Sequence, residues 1–338
     1  MSKAKVVITD FGDPDHSLEA EEFKASGLDL ELVRLNAHTA DELFPAVADA
    51  DALLVQWAKI TRPVISQLTR CKVISRYGIG VDMVDLEAAS EHGILVCNVP
   101  DYCIEEVSTH TITFLLALNR HLFSHHGHVR SGKWGGVPGR APARLSGQVL
   151  GIVGVGNIGR EVARKASALG LRILGYDPYL GRTEHDSRTE HDSFEIAAAL
   201  GVELTGLEDL LRQSDYVSLH CPLTEETRHL IGPGQLACMK PTAYLINMAR
   251  GPVVDQPALT QALSTGKIQG AALDVLEQEP PPADEPLLML ENVILTPHIA
   301  SWTSEAIVQL RRETARNVVL VLKGQQPRSI VNRKSLRL

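Results

Sequence analysis

No stretch of this chain approaches the roughly 20 consecutive apolar residues that cross a bilayer. Its N-terminus, MSKAKVVITD, runs straight into a strand-like segment without the apolar core of a secretion signal. Aromatic residues make up only 4 % of the sequence, which leaves no stacking platform for single-stranded nucleic acid. Positive charge is in the minority. The 33 Lys and Arg set against 41 Asp and Glu leave a net charge of −8, which argues against nucleic acid or an anionic membrane as the main partner. The five cysteines (Cys71, Cys97, Cys103, Cys221 and Cys238) form no CxxC pair and no even-numbered framework, so a reducing cytoplasm is the expected compartment.

What is present is ordinary soluble composition, 44 % hydrophobic and 22 % charged, over a length of 338 residues that favours two domains. Short apolar runs alternate with longer amphipathic segments. Val6–Ile8, Ala52–Val55, Val73–Ile74 and Ile94–Val96 read as one series of buried parallel strands. A second series comprises Val149–Val153, Ile173–Leu174, Tyr216–Leu219, Ala243–Ile246, Ala271–Leu273 and Val293–Leu295. Strand–helix alternation predicts α/β architecture, here two doubly wound parallel-sheet domains. Glu105 to about Ser131 reads as one long helix without a break before Gly127, Gly132 to Arg144 as a Gly/Pro-rich loop, and the stretch after Ser304 as a closing helix.

Gly154-Val155-Gly156-Asn157-Ile158-Gly159 matches G-x-G-x-x-G, a weak pattern alone. Here it follows a strand, opens a helix and lies 23 residues before Asp177, which closes the strand-like ILGYD. That context is the dinucleotide fingerprint. Gly154 permits the tight turn, Gly156 lets backbone approach a pyrophosphate, and Gly159 permits close helix–strand packing. The carboxylate of Asp177 would accept from an adenosine ribose and repel a 2′-phosphate, which favours NAD over NADP.

Three further signals follow strands: NMARG (247–251), DVLEQEP (274–280) and TPHIA (296–300). Strand C-terminal ends line the ligand crevice of open α/β sheets, so the three can converge. An arginine, an acid and a histidine are what oxidation of a 2-hydroxy acid needs. Arg250 can grip the carboxylate and polarise the C2 oxygen. His298 can exchange the hydroxyl proton, and Glu279 can orient its ring. Taken singly, each has a plainer reading: a strand-end salt bridge, a solvated loop acid, a core histidine.

With these residues in place the chain resembles the D-isomer-specific 2-hydroxyacid dehydrogenase family. The likeness runs through RYGIGVDMVD (76–85), NVP (98–100), GIVGVGNIGR (151–160), SLHCPLTEET (218–227), NMARGPVVD (247–255), ALDVLEQEP (272–280) and LTPHIA (295–300). It looks most like the bacterial, phosphoglycerate-dehydrogenase-like branch related to C-terminal-binding proteins. The resemblance implies a Rossmann NAD domain over 104–299 inserted into a flavodoxin-like substrate domain made of 1–103 and 300–338. It implies Arg250, Glu279 and His298 as the catalytic trio, with Glu279 rather than Glu277 as the acid; the sister formate dehydrogenases typically carry glutamine there. Val107, Asn157, Ile158, Asp177, His220, Cys221, Pro222, Met248, Ala249 and Asp274 would line the cofactor beside Gly154, Gly156, Gly159, Arg250 and His298, with Asp274 at the nicotinamide carboxamide. Ile79 and Gly80 would offer backbone N–H groups to the substrate carboxylate. Gln56, Trp57 and Trp302 are further substrate-side candidates, and plain packing is an equal alternative for Trp57. A homodimer through the NAD domain is implied, with the 105–128 helix and the RSGKW loop (130–134) near the partner, and no regulatory domain is expected after Leu338. The rival to a dehydrogenase is an NAD-sensing dimeric interaction protein, a corepressor-like scaffold; an intact acid–base set favours the enzyme.

Two histidine-rich stretches compete for attention. HLFSHHGH (121–128) places His121 and His125 four apart, as zinc ligands can be, but lacks the glutamate of HExxH. Partly exposed histidines near a dimer seam are the expected reading, and no metal is assigned. RTEHDSRTEHDS (182–193) is one hexamer written twice, five residues after Asp177. It reads as a slipped copy lengthening a tolerant loop, in which Arg182 and Arg188 could reach an adenosine 2′-phosphate.

Overall fold

A computed structural model describes residues 3–336 apart from Pro14, His38, Arg140, residues 181–194, Ile196 and Ala198. The doubled hexamer, with Arg182 and Arg188, lies outside the described residues. The chain divides into two compact units, Met1–Cys103 with Thr303–Leu338, and Ile104–Trp302. The return to the first unit thus falls three residues past the expected 299/300. Ile299 and Ala300 donate their N–H groups to Asp274, and the Trp302 N–H donates to the Ile299 carbonyl at 2.9 Å. Only at Thr303, whose hydroxyl caps the helix Ser304–Leu322, does the chain leave that loop.

The first unit is built on a five-stranded parallel sheet. Its strands are β1 (Ala4–Ile8), β2 (Leu30–Arg34), β3 (Ala52–Val55), β4 (Val73–Arg76) and β5 (Leu95–Cys97), in the order β2-β1-β3-β4-β5. That is the flavodoxin-like order. β3 and β4 are buried along their whole length, as strands covered on both faces must be. The helix Ser304–Leu322 is held to this unit by a buried pair. Arg311 donates to both carboxylate oxygens of Glu19, at 2.9 and 2.7 Å, and both residues are at most 3 % exposed.

The second unit carries a seven-stranded parallel sheet. Its strands are β6 (Val149–Val153), β7 (Arg172–Tyr176), β8 (Val202–Leu204), β9 (Tyr216–Leu219), β10 (Tyr244–Asn247), β11 (Gly270–Leu273) and β12 (Val293–Leu295), ordered β12-β11-β10-β9-β6-β7-β8. The chain winds from β6 outward to β8, then returns to β9 on the other side of β6. The crevice at the C-terminal ends of β6 and β9 is the topological switch point where such sheets bind ligands.

The single helix expected over 105–131 is two, Ile104–Asn119 and Leu122–Arg130. The break is at His121, whose φ of +48° reverses the backbone, whereas Gly127 sits inside the second helix. A single left-handed residue leaves the apolar periodicity on either side intact, so the pattern cannot show it.

Candidate active site

β6 runs directly into Gly154, which has φ +91°. A Cβ there would stand 2.6 Å from the Cys221 nitrogen and 2.8 Å from the His220 carbonyl carbon, because the end of β9 passes alongside. Gly159, one turn into the helix Asn157–Ala168, would place a Cβ 2.2 Å from the Gly154 oxygen. Gly156 differs. It caps that helix and nothing lies within 4 Å of its missing Cβ, so the space above the helix N-terminus is open to a pyrophosphate. The residues present therefore fit a dinucleotide.

Asp177 follows β7 and accepts from Val155 N–H at 3.0 Å and from Tyr179 N–H at 3.1 Å. It thus holds the glycine loop, and a carboxylate offers about four acceptor positions, leaving others for ribose hydroxyls. Beyond β9, His220 donates its N–H to Val153 O at 2.7 Å, and its Nε2 lies 2.8 Å from Ser218 Oγ. Burial pushes this imidazole down to about 3, so it is neutral at working pH. Burial also pushes the Cys221 thiol up to about 11, which removes it as a nucleophile. Val107, Met248 and Ala249 are all buried at the 9 % level or below; Asn157 and Ile158 open the helix and Pro222 follows Cys221 in the loop after β9.

The three proposed catalytic residues sit on loops leaving β10, β11 and β12, which are neighbours in the sheet. After β10, Asn247 ties the loop by accepting from Ala249 N–H at 3.0 Å and donating to Arg250 O at 2.9 Å. Gly251 lets the loop press against the one after β11, since a Cβ would meet the Leu276 carbonyl at 1.9 Å. Glu279 Oε1 accepts from Leu276 N–H at 3.0 Å, and its Oε2 lies 2.7 Å from His298 Nδ1. Glu277 is engaged elsewhere, with His229 Nε2 at 2.8 Å and Gln256 N–H at 3.3 Å. His298 has φ +55° and donates its N–H to the Asp274 carbonyl at 2.8 Å.

Asp274, assigned in sequence to the nicotinamide carboxamide, is 3 % exposed and uses its carboxylate on the loop after β12. It accepts the Thr296 hydroxyl and the N–H groups of Ile299 and Ala300, each of the latter at 2.9 Å. In the first unit the same device appears at Asp10, which the sequence reading passed over. Its carboxylate accepts from the N–H groups of Gln56, Trp57 and Ala58, and so shapes the loop after β3. The signal was available, because Asp10 ends VVITD as Asp177 ends ILGYD and Asp274 follows AAL. Gln56 Oε1 accepts from Gly12 N–H at 3.3 Å. Trp57 is not core: it is 47 % exposed, with the Arg76 guanidinium 5.4 Å from its ring centroid. Ile79 offers its carbonyl to Asn98 Nδ2 at 2.7 Å, Gly80 is half-buried, and Trp302 is 68 % exposed. The His121 and His125 rings lie 6.4 Å apart, and among the described residues no three His, Cys, Asp or Glu side chains gather as metal ligands.

A doubly wound parallel sheet with a glycine cradle at its switch point and an acid after the second strand defines a dinucleotide-binding α/β protein, here with an acid–histidine pair on the far loops. The comparisons sharpen this. The family model for the D-isomer specific 2-hydroxyacid dehydrogenase, NAD binding domain, matches residues 112–300. A D-3-phosphoglycerate dehydrogenase of Methanocaldococcus jannaschii is 41 % identical over 296 residues, 87 % of this chain and 54 % of that protein. The chain therefore spans about half the length of that relative. A glyoxylate reductase of Thermofilum pendens is 40 % identical over 304 residues, 88 % of this chain and 86 % of the relative. Among solved structures, D-lactate dehydrogenase from Aquifex aeolicus complexed with NAD and lactic acid superposes with a TM-score of 0.84 at 31 % identity, covering 98 % and 97 % of the two chains. The chain belongs to the D-isomer specific 2-hydroxyacid dehydrogenase family, and its second unit carries that family's NAD-binding domain.

Proposed function

We propose that this chain interconverts a small 2-oxo acid and its D-2-hydroxy acid at the expense of NAD(H). The observation that carries the reading is the Glu279–His298 pair, 2.7 Å apart on loops leaving adjacent strands. Bound NADH supplies the hydride that goes to C2 of the acid. As charge grows on the C2 oxygen, His298 Nε2 delivers a proton to it; in the reverse direction it collects that proton. Glu279 at Nδ1 fixes the ring's orientation and stabilises its protonated form. Arg250 pairs with the carboxylate and polarises the C2 oxygen, with its backbone carbonyl held by Asn247. Gly154, Gly156 and Gly159 bring the helix N-terminus to the pyrophosphate, and Asp177 receives the ribose.

The curated relatives bear the names phosphoglycerate dehydrogenase and glyoxylate reductase, which supports small 2-oxo acids as the class. Gln56, Trp57, Ile79, Gly80 and Trp302 belong to this proposal as substrate-side residues, supported by the exposure of both tryptophans. A homodimer through the second unit is supported by Leu122, Phe123, Val129 and Trp134, which expose 55, 59, 46 and 90 % of their surface on one helix and the loop after it. A set of five cysteines with no CxxC pair supports a reducing cytoplasm. The test is to offer glyoxylate, hydroxypyruvate, pyruvate and phenylpyruvate with NADH. Oxidation of NADH by at least one is expected; binding of NADH without oxidation by any would return the scaffold reading.

A further inference from the structure

The Glu279 carboxylate accounts for one edge of the His298 ring. The loop beneath His298 is held by a second polar chain, which starts outside the residues assigned above. His110, on the helix Ile104–Asn119, sets its Nε2 3.2 Å from Thr296 Oγ1. Thr296 in turn donates its hydroxyl to Asp274 Oδ1. A threonine hydroxyl has one proton, so the oxygen presents a lone pair to His110 and the imidazole must be the donor. Burial lowers the His110 pKa against the opposing pull of the Asp274 charge, which favours the neutral ring, and the contact with Thr296 places its proton on Nε2. The ring also packs edge-on to Phe114, with centroids 4.5 Å apart at 72°.

From Asp274 the chain fans into the loop after β12. The carboxylate takes the Ile299 and Ala300 N–H groups, and the backbone carbonyl takes that of His298. These bonds flank His298, whose φ of +55° is a backbone state that a residue with a Cβ keeps only when its surroundings impose it. Left unoriented, the Thr296 hydroxyl could turn its proton away from Asp274, and the carboxylate would lose one of its three donors.

We propose that His110 is a positioning residue for the reaction: by donating Nε2–H to Thr296 it aims the hydroxyl at Asp274 and so sets the pose of the loop that carries His298. The proposal rests on the reading of His298 as the acid–base group. His110 itself touches no reacting atom; it acts through Thr296 and Asp274.

Two substitutions in the full-length protein separate donation from packing. His110→Phe keeps a ring against Phe114 and deletes the donor, while His110→Gln restores an N–H. H110F is expected to lower kcat about tenfold while the NADH dissociation constant stays within about twofold, since misplacing a catalytic group slows chemistry more than cofactor binding. H110Q recovers most of that loss. In a His298→Ala background, H110F has no further effect, because the group it positions is gone. Equal loss in both backgrounds, no loss in H110F, or an H110Q as slow as H110F overturns the proposal. A ¹H–¹⁵N side-chain spectrum of histidine-labelled protein provides a readout independent of turnover. His110 should report the Nε2–H tautomer, and the His298 signals should shift in H110F and return in H110Q; a Nδ1–H His110 or unmoved His298 signals overturns it. An H298A as active as wild type would instead sink the acid–base reading, and the spectrum would still decide the matter for His110.

Discussion

Three aspartates at strand ends do comparable work. Asp10, Asp177 and Asp274 each gather backbone N–H groups from a loop and fix its path. In sequence an aspartate after an apolar run reads as a ligand for the cofactor, and only coordinates reveal which N–H groups it has collected. Thus the glycines and the proposed Arg250, Glu279 and His298 stand out in sequence as residue types in order, whereas Asp10 shows only its place after an apolar run and His110 shows nothing, because their partners lie 46 and 186 residues away. The glycine cradle supports a sharp contrast between neighbours. Gly159→Ala drives a methyl into the Gly154 carbonyl and should cost about 1–3 kcal/mol of stability. Gly156→Ala meets nothing at φ −73° and should change stability by no more than about 0.5 kcal/mol. Its methyl nevertheless stands in the proposed path of the pyrophosphate, so NADH affinity should fall about tenfold or more, roughly 1.4 kcal/mol. Thermal melts and NADH titrations read the two effects apart, and a G156A that binds NADH like wild type would show that the cradle is misplaced.

At the scale of elements, central strands were readable because burial on both faces leaves an uninterrupted apolar run. The two strands missed, β2 and β8, are edges of their sheets. LELVR and VEL keep polar residues on an open face, so neither gives the run that β3 does. Helix ends failed for another reason, since the His121 reversal leaves no trace in composition. That break bears on the proposed homodimer, because it starts the helix Leu122–Arg130, none of whose residues is buried. Phe123 is exposed on this helix, so a charge there should be neutral for the folded monomer but costly in a covered seam. Sedimentation should find wild type at twice 36.8 kDa and Phe123→Glu shifted toward the monomer. A wild-type monomer, or a variant that stays dimeric, would contradict a homodimer through this helix.

For the whole molecule, the presence of two units was legible because two series of buried strands are separated along the chain. What remained illegible was where the chain crosses back. The return after β12 follows Asp274's claim on Ile299 and Ala300, a tertiary hydrogen-bond pattern with no local sequence mark. The family defines the fold and the dinucleotide. The proposed chemistry then rests on one histidine, gripped through its backbone by Asp274 and at Nδ1 by Glu279. The most direct test is turnover of His298→Ala with NADH and the 2-oxo acid that wild type reduces, measured beside the NADH dissociation constant. Loss of a general acid typically costs about 10²–10⁴ in rate, so kcat should fall within that range while NADH binds within about twofold of wild type. Turnover near the wild-type value, or a loss that merely follows a loss of NADH binding, would contradict the assignment of His298 as the group that moves the proton.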